Sequence, residues 1–208
     1  MNYLDTTEYL TYGLDAATDP SWVTAASAVM DAYCRRTTLG VTQYEERLKL
    51  PADLNRVRLS YLPLAAVAPA TTAIVSVQGR YGLPRRGEWP TPDVSVEFAL
   101  VFALPGSWTS IDPTAVDVAT ALGELTFPVN ALGLAFNEVD VVYTAGLDPI
   151  ANRVKVACAQ LVKNAQATPA LNVKSGKIDR MRLEYFGDTL VDESVRSLLA
   201  PYVARNGA

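Results

Sequence analysis

Histidine does not occur among the 208 residues. Its absence removes the usual general base near neutral pH and the commonest zinc ligand. Serine–histidine–aspartate and cysteine–histidine nucleophile systems are excluded with it. Cysteine occurs twice, at Cys34 and Cys158. Each falls on the apolar face of an expected helix, so the simplest reading is two small buried hydrophobes. A disulfide between them would need close, oriented Cβ atoms that a sequence does not display. No apolar run approaches the roughly 20 residues that span a bilayer. The longest, "FALVFALP" at Phe98–Pro105, is strand-sized. "MNYLDTTEYL" has neither a basic n-region nor a long apolar one, so no secretory signal is expected. Asn-x-Ser/Thr sequons are also missing. Together these absences predict a protein of a cytoplasm with no membrane association.

Lysine, tyrosine and carboxylate chemistry are left. With 22 acidic residues a chance pair is always at hand. Glu45 and Glu46 are neighbours on an expected strand, point to opposite faces and cannot act as a dyad. Glu97 belongs to no paired motif. Neither an enzyme nor a bound cofactor or metal is therefore expected.

Half of the residues are hydrophobic, enough for one substantial core or a core with an attached lobe. Asp5 and Glu8 have capping-box spacing and predict a short helix to about Tyr12, ended by Gly13. Asp19 and Pro20 read as N-cap and first helical residue. Behind them Trp22, Val23, Ala26, Val29, Met30 and Tyr33 recur as one helical stripe. Arg35, Arg36 and Gly40 supply cations and a glycine at its end.

The pattern then changes to period two. In "YEERLKL" Tyr44, Glu46, Leu48 and Leu50 share one face and Glu45, Arg47 and Lys49 the other. "RVRLSYLPL" alternates too, and with "PADLN" between them the two predict a hairpin. Further strands are expected at "TTAIVSVQG", "VSVEFALVFAL", "AVDVAT", "ELTFPV" and "EVDVVYTA". Residues 42–145 thus read as a mostly antiparallel β region. A helix resumes at Asp148–Pro149, with Ile150, Val154, Ala157, Cys158, Leu161, Val162 and Ala165 on one face. One short strand is expected at Met181–Tyr185, and a last helix begins at Asp192 or Glu193. The order is helices, strands, helices. The expected fold is α+β: a small helical bundle of N- and C-terminal helices (1–41 and 146–208) with an inserted antiparallel β region (42–145).

The stretch "VDVVYTAGLDPIANR" runs strand, turn, helix, as many phosphate loops do. A Walker loop needs several glycines and then Lys and Ser/Thr, and a dinucleotide fingerprint needs three glycines. Here there is one. An aspartate at the helix N-terminus would also repel phosphate. The stretch reads as a structural joint: Gly146 turns the chain, Asp148 caps, and Pro149 starts the helix.

Charge is uneven. From Ile150 to Arg182 there are seven basic residues, Arg153, Lys155, Lys163, Lys174, Lys177, Arg180 and Arg182, against one acidic, Asp179, in a chain of net charge −4. A generic DNA binder is more often basic overall. The segment reads either as a contact for an acidic partner or an acidic neighbour in an oligomer, or as a solvated helix face. The loop "RYGLPRRGEWPTPD" (Arg80–Asp93) carries Arg85, Arg86 and Trp89, residue types that anchor interfaces. It reads either as a partner contact or as a solvated hairpin tip.

The strand ending Val141-x-Tyr143-x-Ala145-Gly146, then Asp148–Pro149 and an amphipathic helix, resembles the head–tail connector proteins (adaptor or head-completion proteins) of tailed bacteriophages and prophages. The likeness extends to "GKIDRMRLEYF", to "VRSLLAPY" and to the N-terminal helices ending "MDAYCRRTTLG". It departs at Asp179–Arg180, where Gly–Asp is common in that family, and is less specific in the β region. The resemblance implies a structural virion protein of the neck, made in the bacterial host's cytoplasm. It implies a ring, typically of twelve copies, that binds the portal protein, extends the DNA channel and receives a tail-side stopper or tail-completion protein. The free protein would then be either a monomer or already a ring. DNA would pass without sequence-specific binding, which suits an acidic balance. The candidate partner contacts are then Arg85, Arg86 and Trp89 in the loop, Lys174, Lys177, Arg180, Arg182 and Tyr185 in an arm from about Thr168 to Val191, and Leu199 and Tyr202 near the C-terminus. The alternative is a β-rich module of a phage tail or prophage locus that binds a partner or a carbohydrate, with Trp89, Trp108 and Tyr81 as stacking surfaces.

Overall fold

The computed structural model describes residues 1–50, 54–82, 106–129, 136–167, 175–178, 181–184 and 190–205, the two segments between 175 and 184 by their backbone alone. The strand expected at "VSVEFALVFAL" and most of the 80–93 loop lie outside the described residues. The chain divides into two compact units, Met1–Gly40 with Leu147–Ala204, and Val41–Gly146 with Arg205–Ala208.

In the first unit the short helix expected after Asp5 is instead two 3-10 turns, Thr6–Glu8 and Leu10–Tyr12. So short a segment lies below the length at which a helix propagates by itself, and burial of Tyr9 between the two turns decides the outcome. Helix α1, Pro20–Cys34, starts as expected: the Asp19 carboxylate accepts from the Ser21 N–H at 2.8 Å. Its buried stripe is Val23, Ala26, Ser27, Met30 and Cys34, while Trp22 stays exposed. Arg35 itself ends the helix, in the left-handed conformation (φ 56°) that glycine was expected to supply. The Arg36 N–H then reaches back to the Asp31 carbonyl at 3.0 Å, closing the last turn.

Helix α2, Asn152–Ala167, buries Val154, Ala157, Cys158, Ala159, Leu161 and Val162. Helix α3, Glu193–Leu199, is capped by Asp192, whose carboxylate accepts from the Val195 N–H at 2.8 Å, and buries Val195 and Leu199. The class α+β holds, but the expected bundle of N- and C-terminal helices does not form. Helix α2 packs on α1 and on α3, while α3 is only seven residues long. Much of the remaining core comes from non-helical residues, Tyr3, Leu4, Leu14 and Leu39 among them. Such a unit has too little helix facing helix to be a bundle. Among the described residues no helix is long and apolar enough to cross a membrane.

The second unit holds two antiparallel sheets. One has the order β1 (Thr42–Lys49), β7 (Glu138–Ala145), β3 (Ile74–Arg80), β4 (Thr109–Ile111). The other has the order β2 (Arg56–Arg58), β6 (Glu124–Thr126), β5 (Asp117–Ala119). The hairpin expected from β1 and β2 is not formed, because the two strands belong to different sheets. Strand β1 pairs along its whole length with β7, from Thr42↔Ala145 to Lys49↔Glu138. The cause is β7, whose Val139, Val141, Tyr143 and Ala145 are all completely buried. A strand with that much apolar surface belongs at the sheet centre, and β1 offers it the longest matching edge. The alternation read in β1 is observed, with Tyr44, Glu46, Leu48 and Leu50 turned inward relative to Glu45, Arg47 and Lys49. Leu59, Val77, Leu125 and Phe127 complete the core with β7. Outside this unit, in the part of the chain that belongs to the first, β8 (Ser175–Ile178) pairs antiparallel with β9 (Met181–Glu184), two short strands where one was expected.

Candidate functional site

At the joint, Gly146 takes φ 141°, a region that disfavours residues with a Cβ. Its N–H donates to the Pro63 carbonyl at 2.9 Å. The expected cap is corrected: Asp148 is exposed and α2 begins only at Asn152. The Ala151 carbonyl, not an Asp148 cap, receives the first helical N–H groups, from Val154 at 2.9 Å and Lys155 at 3.2 Å. Asp148 and Pro149 thus form a turn ahead of the helix.

Two of the basic residues of α2 are engaged inside the chain. Lys155 pairs with Glu8 at 2.5 Å, and the hydrogen bond from Lys155 holds the Glu8 carboxyl below its usual range. Lys163 donates to the Tyr12 carbonyl at 3.2 Å, at the end of the second 3-10 turn. Arg153 remains exposed. Of the candidate contacts, Arg85, Arg86, Trp89, Lys174, Arg180 and Tyr185 lie outside the described residues. Lys177 and Arg182 are brought directly opposite one another in the β8–β9 register. Leu199 is completely buried in the core of the first unit, so in the isolated chain it is a packing residue. Tyr202 is half-buried at the margin of the same core.

The densest polar arrangement in the second unit was not anticipated. Glu138, at the start of β7, pairs in register with Lys49 of β1 and Arg80 of β3. Its carboxylate accepts from Arg80 at 2.8 Å and Arg47 at 2.8 Å, with the Lys49 ammonium at 3.4 Å. Its side chain is only 6% exposed. Burial pushes the Glu138 carboxyl up, but the hydrogen bonds from Arg47 and Arg80 outweigh it and hold the group at about 2. The Trp108 ring lies beneath both guanidiniums, at 4.6 Å from that of Arg80 and 5.1 Å from that of Arg47. Gly82 comes so close that a Cβ there would lie 2.5 Å from the Glu138 carboxyl carbon. The Asn137 side chain bonds the Gly82 backbone through both its N–H and its carbonyl. A smaller clamp in the three-stranded sheet joins Glu124 to Arg56 (3.2 Å) and Arg58 (3.1 Å).

Inside the same unit Glu46 accepts from the Ser60 N–H at 3.2 Å, the Ser60 hydroxyl at 2.8 Å and the Tyr143 hydroxyl. Tyr143 in turn accepts from the Tyr61 N–H at 3.2 Å, and Tyr61 stacks on Tyr44 with centroids 3.9 Å apart. Burial, then the hydrogen bond to Glu46, raise the Tyr143 phenol well above its ordinary value. In these arrangements every carboxylate is engaged by fixed donors. A glutamate held at about 2 is poorly matched to proton transfer near neutral pH. The clamps fix strand ends and loop origins in place. Among the described residues no group of three or more Cys, Asp or Glu side chains is placed to hold a metal ion.

Only a weak signal for the Glu138 clamp existed in the sequence. In "EVDVVYTA" the core face is Val139, Val141 and Tyr143, so Glu138 and Asp140 fall on the other face. Which cations would lie across from them depended on strand order, which local pattern does not specify. No family model matches the chain, and no curated protein matches it.

Proposed function

We propose that this chain is a non-catalytic structural subunit of a phage or prophage neck, a head–tail connector that adds to a portal ring as a ring of its own and lets DNA pass. The observation that carries the reading is where the family-like residues lie. "VVYTAG" forms the second part of β7 and the turn after it, and "VRSLLAPY" forms most of α3 and the turn that follows. "MDAYCRR" closes α1, in the unit built from both ends of the chain. The polar chemistry supports the same reading, since the conspicuous carboxylates serve as clamps. The portal, a tail-side stopper or tail-completion protein and further copies of the chain are the partners this reading names, and the neck of the virion is its location.

The alternative of a carbohydrate- or partner-binding module draws on exposed aromatic platforms. Trp108 is engaged by Arg47 and Arg80, and Tyr81 packs on Phe136 with centroids 5.0 Å apart, so two of its three rings have partners within the chain. The connector reading is tested by native mass spectrometry of the protein alone and mixed with its cognate portal ring. Stoichiometric addition to the portal is expected. A protein that ignores the portal under all conditions overturns the reading.

A further inference from the structure

Strand β1 lies at the edge of its sheet. Its inner side is filled by β7 in one unbroken register, from Thr42↔Ala145 to Lys49↔Glu138. In that register the Leu50 N–H reaches the Asn137 carbonyl at 2.8 Å. Ladder bonds alternate from residue to residue in an antiparallel pair, so Leu48, Glu46 and Tyr44 also bond toward β7. Lys49, Arg47, Glu45 and Gln43 therefore turn their N–H and C=O groups the other way. All four residues are exposed, and among the described residues no backbone hydrogen bond reaches those groups.

Exposed edges are ordinarily short, bulged or interrupted by proline. This one runs eight residues without a bulge or a proline. Its charges guard it against a second copy in particular. Antiparallel registers of β1 with another β1 centred on Glu45, Glu46 or Arg47 set that residue against its own twin, and like charges directly opposite are destabilising. Strand β7 shows what β1 accepts instead. Its Glu138 and Asp140 face Lys49 and Arg47, its Val139 and Tyr143 face Leu48 and Tyr44, and its Val142 faces Glu45. The side chains of β1 stand between its two edges, so a strand added on the free side meets the same row. Arg47 and Lys49 stay about half exposed after engaging Glu138, with donors to spare.

We propose that the free edge of β1 is a docking site for an extended segment of a different protein, one that alternates acidic with apolar residues. The segment adds to the sheet as a further strand, with its acids opposite Arg47 and Lys49. The proposal is independent of the connector reading, whose portal test is scored separately. The probe is a labelled synthetic peptide of the β7 sequence, EVDVVYTA, followed by fluorescence anisotropy against the full chain. N-methylation at the position of Val142 removes the N–H that would bond the Glu45 carbonyl and leaves the charges of the peptide alone. A peptide with Val142→Glu sets a like charge against Glu45. In the protein, Glu45→Pro removes a free N–H and fills the edge, while the ladder to β7 does not use that group. Its urea midpoint is measured alongside. Glu45→Lys is the charge-swapped variant.

Saturable binding of the peptide is expected, at least about threefold weaker after N-methylation and lost in a folded Glu45→Pro chain. The Val142→Glu peptide should bind the natural chain about threefold more weakly and recover on Glu45→Lys, a recovery that an unfolded variant would not give. Absence of saturable binding, equal binding of the N-methylated peptide, or undiminished binding by a folded Glu45→Pro chain overturns the proposal. So does a natural chain whose dimers, seen by light scattering, dissolve in Glu45→Pro, which gives the edge to a second copy.

Discussion

Arg80 donates its Nε–H to Glu138 at 2.8 Å, and the two residues are also directly paired in the β3–β7 register. Lys49 pairs with the same glutamate from the opposite neighbouring strand. One carboxylate therefore ties the ends of three strands, at the point where β3 leaves the sheet toward Tyr81 and Gly82. The Glu138 side chain is only 6% exposed, and the Trp108 ring lies against the guanidiniums of the two arginines that bond it.

Replacing Glu138 by Gln should destabilise the protein by roughly 2–3 kcal/mol. The variant keeps the shape but leaves Arg80, only 17% exposed, beside a neutral amide. Arg47 and Lys49 are about half exposed and can rehydrate, which limits the loss. The midpoint of urea unfolding measures the effect. An unchanged midpoint would mean the clamp adds nothing to stability.

The same carboxylate sets an acid dependence. Its pKa is near 2 in the folded chain against an ordinary 4.5, so the unfolded chain binds the proton more readily. The stabilisation is complete above about pH 5 and declines as pH falls through the ordinary carboxylate range toward 2. Unfolding midpoints followed from neutral pH downward should fall less steeply in Glu138→Gln than in the natural chain. Equal slopes would contradict the depressed value.

Gly82→Ala should weaken the same region. The added Cβ would meet the Glu138 carboxyl carbon at 2.5 Å, and that group is held by three cations and cannot swing away. A loss of about 1–3 kcal/mol is expected. In the double variant with Glu138→Ala the obstacle is gone, so the two losses should sum to more than the loss measured together. Strict additivity in denaturant titrations would show that the close approach carries no energy.

Legibility in the sequence followed the range of the interactions. The Asp19 cap, the α1 stripe and the alternation of β1 depend on residues a few positions apart, and the pattern contains them. The partner of β1 lies some ninety residues away, and the nearby "RVRLSYLPL" competed for the same edge, so a hairpin was expected where β7 pairs. The start of α2 was misplaced for a local reason. Asp148–Pro149 has the composition of a cap, but Gly146 turns the chain first and the helix waits for Asn152. Glu138 was identifiable as a non-core residue of its strand. Its three cations became visible only with strand order. Strand β4, three residues long, and β8, "SGKI", are too short to show a period.

Cys34 and Cys158 should resist thiol reagents in the folded protein. Both are free and completely buried, and burial pushes each thiol up to about 11. Little reactive thiolate is therefore present at neutral pH, and access is closed. Titration with Ellman's reagent should show slow reaction without denaturant and two thiols at once in guanidinium. Prompt reaction of either in the native protein would place it at the surface.

Tyr143→Phe tests the second buried network. The hydroxyl donates to Glu46 and accepts from the Tyr61 N–H, so its removal leaves that N–H without its acceptor and Glu46 with Ser60 alone. A loss of about 1–3 kcal/mol is expected at neutral pH. The alkaline limb gives an independent readout. Burial and the bond to Glu46 raise the phenol above its ordinary 10.0, so the folded chain retains a proton that the unfolded chain releases. The contribution of Tyr143 is fully present below pH 10 and is lost as pH rises beyond it. Stability measured from pH 8 upward should therefore fall less steeply in Tyr143→Phe than in the natural chain. A variant with the same neutral stability and the same alkaline slope would show that the hydroxyl adds nothing, and that the Tyr44–Tyr61 stack and the Ser60–Glu46 bonds hold this segment to the sheet.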